Sequence, residues 1–210
     1  MLPQTIPVFP LPNVVLFPNV FLPLHIFEPR YKEMVRDALD GDRIIGMALL
    51  RPGWESNYDG RPPVYPVGCA GLITQSETLA DGRYDIVLQG LAKFRIVGED
   101  ATRSYRLANI EGILESTSSL DRETLRAERR RLEGLLVPQP AGRGVDPKVP
   151  PSMTDEDLVN TLAQYLELEP VEKQALLERE GLVSRCRSLI ELLEMKVLVS
   201  RNRWTVQGTH

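Results

Sequence analysis

The sequence predicts an α+β protein: a bent β-sheet or pseudo-barrel with one helix over residues 1–115, followed by an α-helical bundle over residues 116–210. Three observations predict it. Seven of the 17 prolines and four of the five phenylalanines fall within residues 1–30, so the chain starts as short apolar runs broken too often for helix. From Val67 to about residue 115, apolar and polar residues alternate around an Asp81-Gly82 pair, the signature of strands joined by a tight turn. Beyond that point leucines recur at helical spacing in charged surroundings.

In order along the chain, Ile6–Phe9, Val14–Phe17 and Val20–Phe27 read as three short strands rich in β-branched and aromatic residues. Prolines at 3, 7, 10, 12, 18 and 23 suit strand starts, edges and bends. No charged side chain precedes Glu28, but those prolines forbid an uninterrupted helix across a bilayer. The stretch also lacks the basic start and small-residue cleavage site of a signal peptide. The expectation is a cytoplasmic protein with no membrane partner.

Tyr31, Met34, Val35, Ala38 and Leu39 share one helical face. Pro29 suits the helix's first turn and Gly41 a left-handed stop. Arg43–Leu50 reads as a buried strand. Residues 51–66 form a long loop by composition, carrying Trp54, Tyr58 and Tyr65. Loops this long are often functional, and aromatic side chains on them are good interaction anchors. Cys69–Ser76, the Asp81-Gly82 turn, Tyr84–Leu88, Phe94–Ile96 and Arg106–Leu114 complete the strands, with a bulge expected at Gly90.

The second segment opens with a charged helix over residues 121–137 bearing Leu125, Leu132 and Leu136. Five prolines and two glycines in residues 138–151 mark a loop or hinge. Ser152 with Asp155, and Thr154 with Asp157, are capping-box candidates before a helix with Leu158, Leu162, Tyr165 and Leu166. Pro170 starts a short helix that ends near Gly181. The last helix carries Leu182, Cys186, Leu189, Ile190, Leu193 and Val197 on its buried side.

Composition narrows the function. With 25 Lys plus Arg against 29 Asp plus Glu, the net charge is −4, which disfavours nucleic-acid binding. Two cysteines and two histidines exclude a disulfide framework and a thiolate or histidine-rich metal cage, and no cofactor is implied. No phosphate-binding loop, dinucleotide fingerprint, H-E-x-x-H or G-x-S-x-G occurs. The Arg129-Arg130-Arg131 run, flanked by Glu128 and Glu133, reads as a solvated helix face. Three function classes stay open: a recognition module; a small hydrolase or ligand-binding enzyme with Cys69 as nucleophile and His25 as base; and a structural protein that oligomerises through the basic C-terminal helix. The sequence sets no oligomeric state.

Residues 6–24, from Ile-Pro-Val-Phe-Pro-Leu-Pro to Val-Phe-Leu-Pro-Leu, resemble the opening of the amino-terminal domain of Lon proteases. Tyr65–Ile73 and Leu79–Ile96 are similar to later strands of that domain, and Ala175–Glu194 to its helical end. The Leu22–Tyr31 block is closer to short stand-alone members and to the related region of cereblon. The resemblance spans nearly the whole chain. It implies a pseudo-barrel followed by helices, and a domain that recruits unfolded or tagged substrates, while ATPase and Ser-Lys peptidase domains outside this sequence do the chemistry. The chain is thus read as a stand-alone, non-enzymatic member that binds exposed apolar peptide segments or a protein partner. The candidate binding residues are Trp54, Tyr58 and Tyr65 of the loop with Phe17 and Phe21 of the proline-rich start.

Overall fold

The alternation after the Asp81-Gly82 turn is realised as one strand of 17 residues, and that length organises the sheet. The computed structural model describes residues 2–57, 60–115, 118–136 and 153–207. Its elements are β1 (Thr5–Leu11), β2 (Phe21–Ile26), α1 (Pro29–Asp40), β3 (Ile44–Leu49), β4 (Val67–Thr78), β5 (Tyr84–Asp100), β6 (Arg106–Ile113), α2 (Ser119–Leu136), α3 (Asp155–Tyr165), α4 (Pro170–Glu178) and α5 (Leu182–Gln207). A 3₁₀ turn covers Trp54–Asn57. The α+β class is as expected. The hinge over residues 138–151, Ser152 and Tyr58 lie outside the described residues.

Strands run in the order β2-β5-β4-β3-β1-β6, and β6 returns to pair with β5. The first half of β5, Tyr84–Gln89, binds β2, and its second half, Lys93–Asp100, binds β6 on the same edge. β5, β4, β3, β1 and β6 therefore close a barrel, and closure removes strand edges. β2 and the ends of β4 and β5 extend beyond it as a three-stranded antiparallel flap. Ile6, Val8, Ala48, Ala70, Phe94, Ala108 and Ile110 fill the barrel. Gly68 makes room for Phe94: a Cβ there would stand 2.6 Å from the ring and 2.3 Å from the Met47 carbonyl oxygen.

The expected bulge is present. Gly71 pairs with Gly90 and Ala70 with Ala92, leaving Leu91 as the extra residue. Gly82 takes φ +75 in the turn, and the Asp81 carboxylate accepts the Arg83 N–H at 3.1 Å. α1 buries Tyr31, Met34, Val35 and Ala38 as its stripe foretold, with Pro29 in its first turn. Its end differs from expectation. Gly41 has φ −113, and Arg43 takes the left-handed conformation at φ 60. Both N–H groups donate to the Ala38 carbonyl, so the chain turns two residues later than glycine alone suggested.

Val14–Phe17, expected as a strand, is an irregular segment between the Pro12-Asn13 and Pro18-Asn19 pairs, although Val15, Leu16 and Phe17 are fully buried. Asn19, at φ 63, turns the chain into β2. The Asn19 N–H donates to the Gly90 carbonyl, and the Gly90 N–H donates to the Val20 carbonyl, both at 2.9 Å.

Contacts divide the chain into two compact units, Met1–Leu114 with Asn160–Glu178, and Glu115–Val159 with Arg179–His210. Residues 160–178, which the sequence reading placed in the helical segment, pack with the sheet. Asn160 Nδ2 donates to the Pro18 carbonyl at 3.1 Å, Gln164 Oε1 accepts the Phe17 N–H at 3.2 Å, and Gln174 Nε2 donates to the Val67 carbonyl at 2.9 Å. In the second unit, Ser118 and Asp121 cap α2 reciprocally, and Thr154 Oγ1 accepts the Asp157 N–H at the start of α3. Four arginines of this unit are matched within it. Arg129 pairs with Glu133 and Asp155, Arg131 with Glu194, Arg187 with Glu128, and the fully buried Arg185 with Glu115. Burial and the nearby Glu115 charge push the Glu156 carboxyl above its ordinary range.

A Cβ on Gly90 would lie 2.1 Å from the Phe17 carbonyl oxygen, a backbone atom that cannot step aside. Gly90→Ala is expected to lower the free energy of unfolding by about 1–3 kcal/mol, read as a drop in the urea midpoint with an unchanged m value.

Candidate functional site

Alternation in β2 sends Phe21, Pro23 and His25 to one face of the flap and Leu22, Leu24 and Ile26 to the other. The first three are exposed, Leu22 and Leu24 are half-buried, and Ile26 is buried. Register extends the outer face across three strands. Phe21 stands opposite Gln89 and Leu72, Pro23 opposite Val87 and Gln75, and His25 opposite Asp85 and Glu77. The outer face therefore grades from apolar near the barrel to charged at the hairpin tip.

The charged end is a hydrogen-bonded chain. His25 Nδ1 lies 2.6 Å from Asp85 Oδ1, and Arg83 Nη1 lies 3.0 Å from His25 Nε2. Arg83 can only donate, so Nε2 accepts and Nδ1–H donates to Asp85. Arg83 Nε donates to Asp81 Oδ2 at 2.6 Å. The backbone and side chain of Arg83 hold the Asp81 carboxyl below its ordinary range. These bonds pin the tip to β2.

At the other end, Phe21 is 50% exposed and Tyr165, in the last turn of α3, is 63% exposed. The Tyr165 hydroxyl donates to the Phe21 carbonyl at 2.8 Å. Leu91, the bulge residue two positions beyond Phe21's partner Gln89, is also exposed. Phe21 and Tyr165 thus stand half or more open to water and are joined through the Phe21 backbone, while at the tip Phe27, also exposed, stacks with its ring 6.3 Å from that of His25.

The edge of β2 is protected. Val20 directs its carbonyl toward β5, so Phe21, Pro23 and His25 direct theirs to the open side. Tyr165 occupies the first of these carbonyls, and Pro23 has no N–H to offer a pairing strand. Such an edge resists extension by another chain.

The structure separates the residues singled out from sequence. Phe17 is 0% exposed: it belongs to the core, where its N–H meets Gln164, and cannot line a binding surface. Trp54 and Tyr65 are half-buried in the excursion after β3. That excursion is tied down by the Arg51 N–H on the Pro63 carbonyl and the Tyr65 N–H on the Leu49 carbonyl, and the Arg51 guanidinium stands 5.6 Å from the Tyr65 ring. Phe21 is level with Ile44, at the start of β3, whereas the excursion begins after Leu49. Five residues of strand separate the two levels, roughly 16 Å at about 3.3 Å per residue. Phe21 and the loop aromatics are thus two zones. Tyr165 escaped the sequence reading because its helical spacing groups it with Leu158 and Leu162, and nothing local says that its face is open.

Cys69 and His25 are not brought together. Cys69 is fully buried and its Sγ contacts the Ala70 carbonyl, while His25 stands level with Glu77, eight residues further along β4. That is roughly 25 Å at about 3.3 Å per residue, beyond any proton transfer between them. Cys186 is also buried, and burial pushes its thiol up to about 11. Among the described residues, no group of three His, Cys, Asp or Glu side chains is placed to hold a metal ion, and no helix is long and apolar enough to cross a membrane.

The family model described as the ATP-dependent protease La (LON) substrate-binding domain matches residues 5–195. Lon protease 2 of Myxococcus xanthus is 28% identical over 205 residues, covering 93% of this chain and 24% of the relative. The Lon protease of Trichlorobacter lovleyi is 30% identical over 197 residues, covering 91% of this chain and 24% of the relative. Among solved structures, the N-terminal domain of the Mycobacterium avium complex Lon protease matches with a TM-score of 0.66 at 17% identity, over 91% of this chain and 98% of that one. The Lon N-terminal domain protein from Xanthomonas campestris matches with a TM-score of 0.59 at 20% identity, over 90% and 97%. These two likenesses concern the fold.

Both thiols are expected to resist iodoacetamide in the native protein at pH 8 and to react once it is unfolded. Rapid native alkylation of Cys69, read by mass spectrometry, would restore the nucleophile reading.

Proposed function

We propose a polypeptide-recognition role from one premise: the chain belongs to the Lon protease substrate-binding domain family. It binds exposed apolar segments of unfolded or partly folded proteins in the cytoplasm and carries out no covalent chemistry. The contact surface is the outer face of β2 and β5 beside the end of α3, centred on Phe21 and Tyr165 with Leu91, Pro23 and Val87 around them. The observation that carries this reading is the exposed aromatic pair, held in place by the Tyr165 hydroxyl on the Phe21 carbonyl.

Affinity on such a face comes from burying aromatic surface, about 25 cal/mol per Å² of apolar area. The net gain is smaller because the captured chain loses conformational freedom. A protected edge suits broad clientele, since main-chain ladder bonds would impose one register on every client. The ring of Tyr165 supplies area at low entropic cost because its hydroxyl is already anchored. Of the residues proposed from sequence, Phe21 is retained at the centre. Trp54 and Tyr65 belong to the second zone, at the loop end of the barrel.

Phe21→Asp places a charge in the centre of the apolar face without touching the core. It is expected to weaken binding of a fluorescent, reduced and carboxymethylated polypeptide by about tenfold or more, read by anisotropy, with the circular dichroism spectrum unchanged. Trp54→Ala is expected to change the affinity less than about twofold on the same scale. The reverse ranking would transfer the contact surface to the loop.

A further inference from the structure

The charged end of the flap carries a feature that holding the hairpin together does not explain. Register sets Glu77 of β4 directly opposite Asp85 of β5, with His25 of β2 on the other flank of Asp85. Carboxylates facing each other across neighbouring strands repel, and such a pair destabilises a sheet. An open groove of about 540 Å³ crosses this end of the flap, and Pro23, His25, Gln75, Glu77, Asp85 and Val87 are among the residues that line it.

The cations nearby are engaged elsewhere. Arg83 donates from Nε to Asp81 Oδ2 at 2.6 Å and from Nη1 to His25 Nε2 at 3.0 Å. Lys32 of α1 ends at the turn, its Nζ 3.4 Å from where a Cβ on Gly82 would stand. With Nε2 accepting from Arg83, the His25 ring brings no charge of its own, and its Nδ1–H serves Asp85 Oδ1. Among the described residues, no lysine or arginine pairs with Glu77 or Asp85. The exposed Phe27 ring lies beside His25, and an aromatic face next to carboxylates favours a cation.

Spacing along β2 joins this acidic end to the aromatic one. Phe21 and His25 lie on the same face, four residues apart, roughly 13 Å at about 3.3 Å per residue. An extended chain laid along that face turns every second side chain toward it. Its positions i, i+2 and i+4 then meet Phe21 with Tyr165, Pro23 with Val87, and the two opposed carboxylates. Charge complementarity decides what the last position carries. We propose that the flap selects extended polypeptide segments in which an apolar residue stands four positions from a lysine or arginine, the basic side chain lodging at Glu77 and Asp85 beside Phe27. The inference rests on the recognition role proposed above and names the chemistry of its clients.

The test uses two dye-labelled, C-terminally amidated peptides whose sequences read the same in both directions: Arg-Ser-Leu-Ser-Phe-Ser-Leu-Ser-Arg, and the same chain with Glu in place of each Arg. The arginine peptide is expected to bind about fivefold more tightly, read by anisotropy, with the preference shrinking as salt is raised. Glu77 is exposed, and so is Glu123 on α2. Glu77→Lys is expected to remove the preference with an unchanged circular dichroism spectrum. Glu123→Lys, which alters the net charge equally, is expected to keep it. Equal binding of the two peptides to the unaltered protein would overturn the basic preference and leave the recognition role standing. So would a preference that survives Glu77→Lys, or one that Glu123→Lys removes as well. Binding of neither peptide would overturn both.

Discussion

The rest of this fold depends on how the proline-rich segment before β2 satisfies its backbone. Residues 12–20 are apolar and buried for much of their length, yet belong to no strand, so no ladder serves their N–H and C=O groups. An unpaired polar group in such a place costs about 1–3 kcal/mol. The partners come from far along the chain: Gln164 for the Phe17 N–H, Asn160 for the Pro18 carbonyl, and Gly90 for Asn19 and Val20. This accounts for two buried amide side chains on α3, Asn160 and Gln164, where a helix packed on a sheet would otherwise carry apolar residues. It also accounts for the association of residues 160–178 with the sheet. α3 serves that segment as its missing ladder, and Tyr165 continues the service one residue further by capping Phe21.

The exposed face follows from the same arrangement. β5 is long enough to serve β2 with one half and β6 with the other, and the exchange of partners needs a break in its edge. The break is the Gly90-Leu91 bulge, where the absence of a Cβ admits the Phe17 carbonyl and the extra residue turns Leu91 outward. Phe21, Tyr165 and Leu91 are therefore exposed near the point where the proline-rich segment enters the sheet. Covering them would require another element at the junction already occupied by α3. The apolar surface is a by-product of closing the barrel this way, and the proposed recognition role makes use of it.

Local patterns in the sequence were legible. The alternation of β5, the Asp81-Gly82 turn, the α1 stripe and the bulge at Gly90 all follow from side-chain periodicity or backbone freedom within a few residues. What was not legible depends on residues far apart in the chain. Val14–Phe17 has the composition of a strand, but flanking prolines and Asn19 remove it from the ladder. Phe17 and Phe21 look alike in sequence and differ completely in exposure, because only Phe17 lies beneath α3. Gly41 was the expected left-handed residue by propensity, and Arg43 takes that conformation because its N–H reaches the Ala38 carbonyl from there.

Charge placement in the second unit serves the fold. In the second unit the guanidiniums of Arg129, Arg131, Arg185 and Arg187 each meet a carboxylate. Exposed pairs of this kind contribute at most about 1 kcal/mol each, and Arg185, wholly buried, is tied to Glu115 because leaving it alone would cost several times that.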